Sequence, residues 1–310
     1  MFAMAKKKPT FLGVPRCDPA GLEAAKVAVL GVAEASPYVF EKRSHSHKSA
    51  RILREVSQGL ALQLNQHDFD SEQTLFPDKG DWRGVVDCGD VPTDARDPEG
   101  NRARIRTEVR RILHAGAVPI ILGGDDSVPI PVIAAYDGFG PITILQIDAH
   151  VDWADVIRGN AFGYGSPMRR ASEYEWVTGM VQVGIRGLGS GQGWQHEDAR
   201  KWGSKLVTSY AFHARGLDAA LLHIPEGANI FISIDCDGID PAVLPAVNMP
   251  TPGGLTYEDM IGLLHGVAAK ARIAGLALVE YVPKHDDARR LSGGVAARIA
   301  MTTIALALGS

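Results

Sequence analysis

Three short acidic clusters hold the residues of this chain best suited to chemistry. Asp148-Ala149-His150-Val151-Asp152 follows the apolar run Ile142–Ile147, Asp235-Cys236-Asp237 follows the run 230–234, and Gly123-Gly124-Asp125-Asp126-Ser127 follows Val118–Leu122. If the backbone stays extended, alternate side chains project the same way, so Asp148, His150 and Asp152 reach a common point and Asp235 and Asp237 repeat the arrangement. Between Gly123 and Asn160 six acidic residues, Asp125, Asp126, Asp137, Asp148, Asp152 and Asp155, accompany one basic residue, Arg158. Burying carboxylates without partners costs on the order of several kcal/mol each, so these groups must face solvent, be protonated or hold cations. Oxygen-rich ligands with one imidazole suit Mn²⁺ or another first-row divalent ion better than a structural zinc site, and shared carboxylates would let two ions hold one hydroxide.

Each cluster begins where an apolar run stops, which says what must position it. Runs rich in Val, Ile and Leu recur at 27–32, 85–88, 118–122, 142–147, 180–183, 230–234 and 276–280. Apolar on both faces, they predict a parallel sheet covered by helices. Helical patterns fill the gaps at 49–63, 101–115, 257–274 and 293–308, the third opened by Thr256 with Asp259 at capping-box spacing. Ligands of open α/β sheets bind beyond the carboxyl ends of the strands, so the three clusters are expected to converge on one site. No linker or repeat divides the chain, which reads as a tail, 1–19, and a single domain, 20–310. Ser44-His45-Ser46-His47 stands in a polar, basic stretch without carboxylates and reads as a surface loop.

Composition narrows the function classes. In 310 residues, 45% hydrophobic and 22% charged, there is enough apolar material for a large core, which excludes a disordered chain. A formal net charge of -4 offers no global field for nucleic acid or an anionic membrane, so neither is expected as a partner. Position makes that surplus informative, because two divalent ions at the strand ends would offset it. Cys17, Cys88 and Cys236 show no metal-ligand spacing and no disulfide framework. Lys6, Lys7 and Lys8 precede no signal-like apolar region, and no uninterrupted apolar run reaches membrane-spanning length, so a cytoplasmic location is expected.

Taken together, the motifs resemble the ureohydrolase family, which includes arginase and agmatinase. The resemblance runs from Val27 onward: Gly123 to Ser127 is similar to the family's GGDHS, Asp148 to Asp152 to its DAHxD, and Ser233-Ile234-Asp235-Cys236-Asp237-Gly238-Ile239-Asp240-Pro241-Ala242 to its SxDxDxxDPA. Pro252-Gly253-Gly254-Leu255-Thr256 and Val279-Glu280 also fit. The resemblance implies a three-layer α/β/α sandwich on a mainly parallel eight-stranded sheet, and two Mn²⁺ or Ni²⁺ ions per site. The implied reaction is hydrolysis of a guanidino group to urea and an amine by metal-bridging hydroxide. By position it implies Asp148 and Asp235 as bridging ligands, His150 and Asp237 completing one site, Asp126 and Asp152 the other, and Glu280 holding the substrate guanidinium. Family members form trimers or hexamers. Related deacetylases carry a tandem His-His dyad, which does not occur here.

Two positions depart from the pattern. Asp126 stands where the family has a histidine ligand, so five ionised carboxylates would face about four positive charges, making a bridging water less acidic and the optimum more alkaline, or altering metal choice. Tyr164, in Gly163-Tyr164-Gly165-Ser166-Pro167-Met168-Arg169-Arg170, stands where a histidine shuttles protons; a phenol of ordinary pKa near ~10 can donate a hydrogen bond but shuttles poorly at neutral pH. The alternative function is therefore a weakened homologue acting as a structural or regulatory subunit beside an active paralogue in a hetero-oligomer. The loop 153–162 leaves the cluster directly and is expected to border the substrate's far end, with Arg158 and Asn160 as contacts; Arg158 there would disfavour an ammonium tail such as agmatine's and favour a guanidino acid or a small guanidine.

Overall fold

The computed structural model describes residues 8–17, 22–189 and 191–309. Eight strands, β1 (Val27–Gly31), β2 (Val85–Asp90), β3 (Val118–Leu122), β4 (Ile142–Ile147), β5 (Val177–Ile185), β6 (Lys205–Thr208), β7 (Asn229–Asp235) and β8 (Arg272–Val279), form one sheet in the order β2-β1-β3-β8-β7-β4-β5-β6. Every pairing in it is parallel. Helices α1 (Ser49–Ala61), α2 (Pro98–His114), α3 (Pro129–Ala134), α4 (Pro167–Ala171), α5 (Gly193–Trp202), α6 (Ser209–Arg215), α7 (Asp218–Leu221), α8 (Tyr257–Lys270) and α9 (Leu291–Gly309) flank it.

The pleat sends successive side chains into two separate cores. Val27, Val29, Ile120, Leu122, Leu145 and Ile147 join one with α1, α8 and α9, whereas Ala28, Leu30, Ile121, Ile144, Phe231 and Ala277 join the other with α2 and α3. Both faces are thus covered, which is why the strands read as continuous apolar runs. The fold is the expected α/β/α sandwich.

Three local expectations change. Strand β6 lay outside the predicted runs because it is an edge strand with only Val207 buried, so its sequence carries little apolar signal. The helix expected over 257–274 stops at Lys270: Ala271 is extended, and Arg272 and Ile273 already pair with Asn229 and Ile230. The stretch Ala271 to Gly275 matches either periodicity, and the open ladder position beside β7 decides it. Finally, the tail does not run to residue 19. Residues 1–7 and the boundary itself lie outside the described residues, but Phe11 and Leu12 are fully buried against α1. Phe11 N–H donates to Asp87 Oδ2 (2.7 Å) and Leu12 N–H to Ser57 Oγ (2.8 Å). Two large apolar side chains in so short a polar segment were too little to read as an element.

Helix α9 is long and apolar enough to cross a bilayer by length and composition, yet it lies mostly buried. It packs on α1, α8 and the sheet, and a helix hydrophobic all round is what such a position requires.

Candidate metal centre and substrate pocket

The strand order removes the sequence distance between the clusters. β3, β8, β7 and β4 are consecutive neighbours, so Gly123 to Ser127, Glu280, Asp235 to Asp237 and Asp148 to Asp152 emerge side by side at the carboxyl edge. Gly238 makes this approach possible, since a Cβ on it would lie 2.6 Å from the backbone nitrogen of Asp148.

The local geometry differs from the extended one expected. β4 ends at Ile147, and Asp152 adopts a left-handed backbone (φ 49°). β7 ends at Asp235, after which Cys236–Gly238 form a 3₁₀ turn in which Asp237 N–H donates to Asp235 Oδ1 (2.7 Å). Turns, not alternation along a strand, bring the side chains together. His150 Nδ1 lies 3.2 Å from Asp148 Oδ1 and 3.3 Å from Asp237 Oδ2.

Two ligand sets result, each with one donor atom per residue and all donors within 4.8 Å of one another: Asp148, His150 and Asp237, and Asp126, Asp148 and Asp152. Asp148 belongs to both. Asp235 belongs to neither at that spacing; one of its oxygens accepts the Asp237 N–H, and it lines the same pocket. Burial first, then repulsion from Asp152, Asp237 and one another, pushes the carboxyls of Asp126, Asp148 and Asp235 well above the usual range. Burial opposes a charge on His150, but Asp237, Asp152 and Asp235 outweigh it and raise its pKa to about 9. Both oxygens of Asp126 are buried without a hydrogen-bond partner.

Sequence reasoning missed the groups behind the ligands. Gln146 Nε2 donates to Asp148 Oδ2 (2.7 Å) and to Asp152 Oδ2 (2.9 Å), so one amide orients two carboxylates. Gln182, paired in register with Gln146 across β4 and β5, donates to Gln146 Oε1 (2.6 Å), and Ser204 Oγ donates to Gln182 Oε1 (2.8 Å). Gln146 and Gln182 are buried polar residues inside otherwise apolar strands, a signal the sequence did carry.

Glu280 follows β8 with a left-handed backbone (φ 62°), held by its N–H on Gly124 O (2.9 Å). Its carboxylate accepts Asp126 N–H on Oε1 (2.9 Å) and meets His45 Nε2 on Oε2. The expected surface loop around His45 therefore reaches the site, at the Glu280 carboxylate. Ser44 and Ser46 are buried, and fully buried Glu34 folds the segment by accepting Ser44 N–H (2.7 Å) and pairing with Arg43 (2.6 Å). Glu34, Arg43, Ser44 and His47 bond one another, so polarity here reports no exposure. The ring of Tyr164 lies edge-on to Tyr38 (centroids 4.3 Å) and to His45 (5.8 Å). Burial and the nearby Glu280 and Asp125 raise its phenol above the ordinary value.

A cavity of about 830 Å³ opens over the centre, reaching from His150, Asp235 and Glu280 out to Trp194 and Met249. Neither Arg158 nor Asn160 lines it. The Asn160 amide donates to Ser36 O (3.1 Å) and accepts Phe162 N–H (2.8 Å), closing a turn with Ile157, while Arg158 is exposed. The loop borders the cavity instead through Ala154, Asp155, Val156 and Ile157.

Comparison with known proteins agrees with this arrangement. A family model described as "Arginase family" matches residues 25–305. A mitochondrial arginase 1 of Arabidopsis thaliana is 32% identical over 232 residues, 71% of this chain and 65% of that protein. An N(1)-aminopropylagmatine ureohydrolase of Thermus thermophilus is 33% identical over 201 residues, 64% of this chain and 67% of that protein. The chain thus aligns with about two thirds of the length of these curated relatives. A crystal structure of a hypothetical agmatinase from Burkholderia thailandensis shares the fold at a TM-score of 0.81 and 24% identity, covering 97% of this chain and 90% of that one. With a family match across nearly all of the described residues and the ordered acidic strand ends on one edge, the chain belongs to the arginase family.

Proposed function

We propose that this protein hydrolyses a guanidino compound to urea and an amine, with two divalent ions at the carboxyl edge of the sheet. The observation that carries the reading is the pair of ligand sets sharing Asp148, with the unpartnered oxygens of Asp126 in one of them, directly beside the buried carboxylate of Glu280. Asp126, Asp148 and Asp152 would hold one ion and Asp148, His150 and Asp237 the other, with the carboxylate of Asp235 available in the same pocket; hard oxygen donors with one imidazole fit Mn²⁺ or Ni²⁺. When bound, such ions supply a water of lowered pKa as the nucleophile.

The side chains perform the rest. Glu280 pairs with the planar guanidinium and turns its carbon toward the ligand cluster, a carboxylate being the natural partner for two parallel N–H groups. Gln146 keeps Asp148 and Asp152 from rotating. Trp194 and Met249 give the cavity apolar surface, and with no Lys or Arg among the described residues of its lining it suits a substrate that keeps a positive charge, such as an agmatine-like compound, better than a guanidino acid. This reverses the preference expected from Arg158.

Elemental analysis of purified protein, combined with urea release from agmatine, guanidino acids, guanidine, substituted guanidines and biguanides, tests the proposal. About two ions per chain and urea from at least one compound are expected. Fewer than one ion and no urea from any compound would defeat it. Tyr164, in place of a group that titrates near neutrality, favours a second reading in which the chain is a subunit beside an active homologue; activity restored only by mixing the two would select it.

A further inference from the structure

Among the described residues, His45 is the partner of Glu280 that is free to leave. The other partner of the carboxylate, Asp126 N–H, belongs to the backbone between β3 and α3 and cannot move without the sheet edge. Glu280 itself is held by its own N–H on Gly124 O. The imidazole sits on a side chain a quarter exposed, at the rim formed with Tyr164, and it occupies the oxygen a guanidinium would need for a two-point pair. We infer that His45 is a specificity-determining residue: as imidazolium it is the counter-cation of Glu280 in the free protein, and it yields that place to the planar cation of the substrate. The inference rests on the reading of Glu280 as the guanidinium carboxylate.

The charges around the ring favour this exchange. Glu280 from β8 and Asp125 from the β3 end face His45, and Tyr164 adds a neutral phenol, with Arg158 beyond it. On its own segment Arg43 is drawn to Glu34, and His47 Nδ1 is engaged by Ser44 O. Burial opposes the imidazolium, but its contact with Glu280 outweighs that, and the pKa is raised. A buried carboxylate stripped of its counter-cation is costly, so an incoming neutral molecule cannot displace His45, whereas an incoming cation can. The balance is simple: the Glu280 carboxylate exchanges imidazolium for amidinium, and the freed imidazole releases its proton to solvent through its exposed edge.

Acetamidinium, a planar cation that presents the same pair of N–H groups and yields no urea, and neutral acetamide are the probes. Calorimetric titration of the metal-loaded protein in two buffers of different ionisation enthalpy counts protons released per ligand. Near pH 7 the native protein is expected to release up to about one proton per acetamidinium, with Kd tightening by up to about tenfold per pH unit as pH rises. His45→Asn is expected to bind acetamidinium without that release and with a flatter pH dependence, and acetamide to bind neither. Equal proton release in the native and His45→Asn proteins, no release on binding to the native protein, or comparable binding of acetamide overturns the inference while leaving the role of Glu280 standing. If Glu280→Gln binds acetamidinium as well as the native protein does, the reading of Glu280 falls and the inference with it.

Discussion

Two structural units meet at Glu280, here called its walls, and are built by different means. The sheet wall consists of Asp235 at the end of β7 and of residues within five positions beyond the ends of β3, β4, β7 and β8, and backbone ladders place them. The other wall, the segment between β1 and α1 that carries His45, has no ladder; buried Glu34 gathers it through Arg43 and Ser44. Its far end is anchored by α1, whose Arg54 binds Asp87 through Nε (2.7 Å) and Nη2 (2.9 Å) and also Asp90. The first wall is held by strand ladders, the second by the buried Arg54–Asp87 pair and the buried carboxylate of Glu34. The difference teaches that ligand positions should withstand changes that disturb substrate recognition.

The largest expected effect strikes the sheet wall itself. Asp148→Asn removes the donor common to both ligand sets, and urea release should fall by more than about 100-fold with loss of bound metal, read by elemental analysis. The same cluster predicts a pH signature. Because the folded-state carboxyls of Asp126, Asp148 and Asp235 titrate above their unfolded values, the metal-free protein has their full stability contribution below the unfolded values and loses it as pH rises through the raised ones. Its melting temperature in chelator should therefore decline from mildly acidic to neutral pH, and metal should restore it. A flat profile in chelator would mean that the cluster is better solvated than its burial indicates.

Arg54→Met attacks the anchor of the other wall. It leaves Asp87 buried without its cation and should cost about 3–5 kcal/mol in denaturant unfolding, with metal content per folded chain unchanged. A proportional loss of metal would erase the proposed independence of the two walls. Glu34→Gln loosens the segment from within; a shift in KM of about 10-fold with little change in kcat is expected, in line with the loss of a charged hydrogen bond of about 1.5–3 kcal/mol that solvent partly replaces at the exposed Arg43. Tyr164→Phe should do least. Its ring packs on Tyr38 and His45, so removal of the hydroxyl is expected to change kcat by about threefold or less. A loss of about 100-fold would instead make the phenol a proton carrier.

Legibility followed the same division. Seven of the eight strands of the sheet and the three acidic clusters could be read because apolar runs ending in carboxylates are a local pattern, and a parallel sheet gives each run the same meaning wherever it stands. His45 could not be read, because its significance lies in Glu280, 235 residues away. Asn160 and Arg158 stand outside the cavity lining for a related reason: nearness in sequence to Asp152 says nothing about which way a loop turns after a left-handed residue.

By itself the sequence determined the class of fold, the acidic strand ends and the requirement for a compensating charge, since periodicity and the cost of burying carboxylates are properties of short stretches. The tertiary structure alone decided that β3, β8, β7 and β4 are neighbours, that Asp148 serves both ligand sets, and that a polar segment before α1 delivers an imidazole to Glu280. Those are relations between distant residues, created by strand order and by a few buried polar contacts.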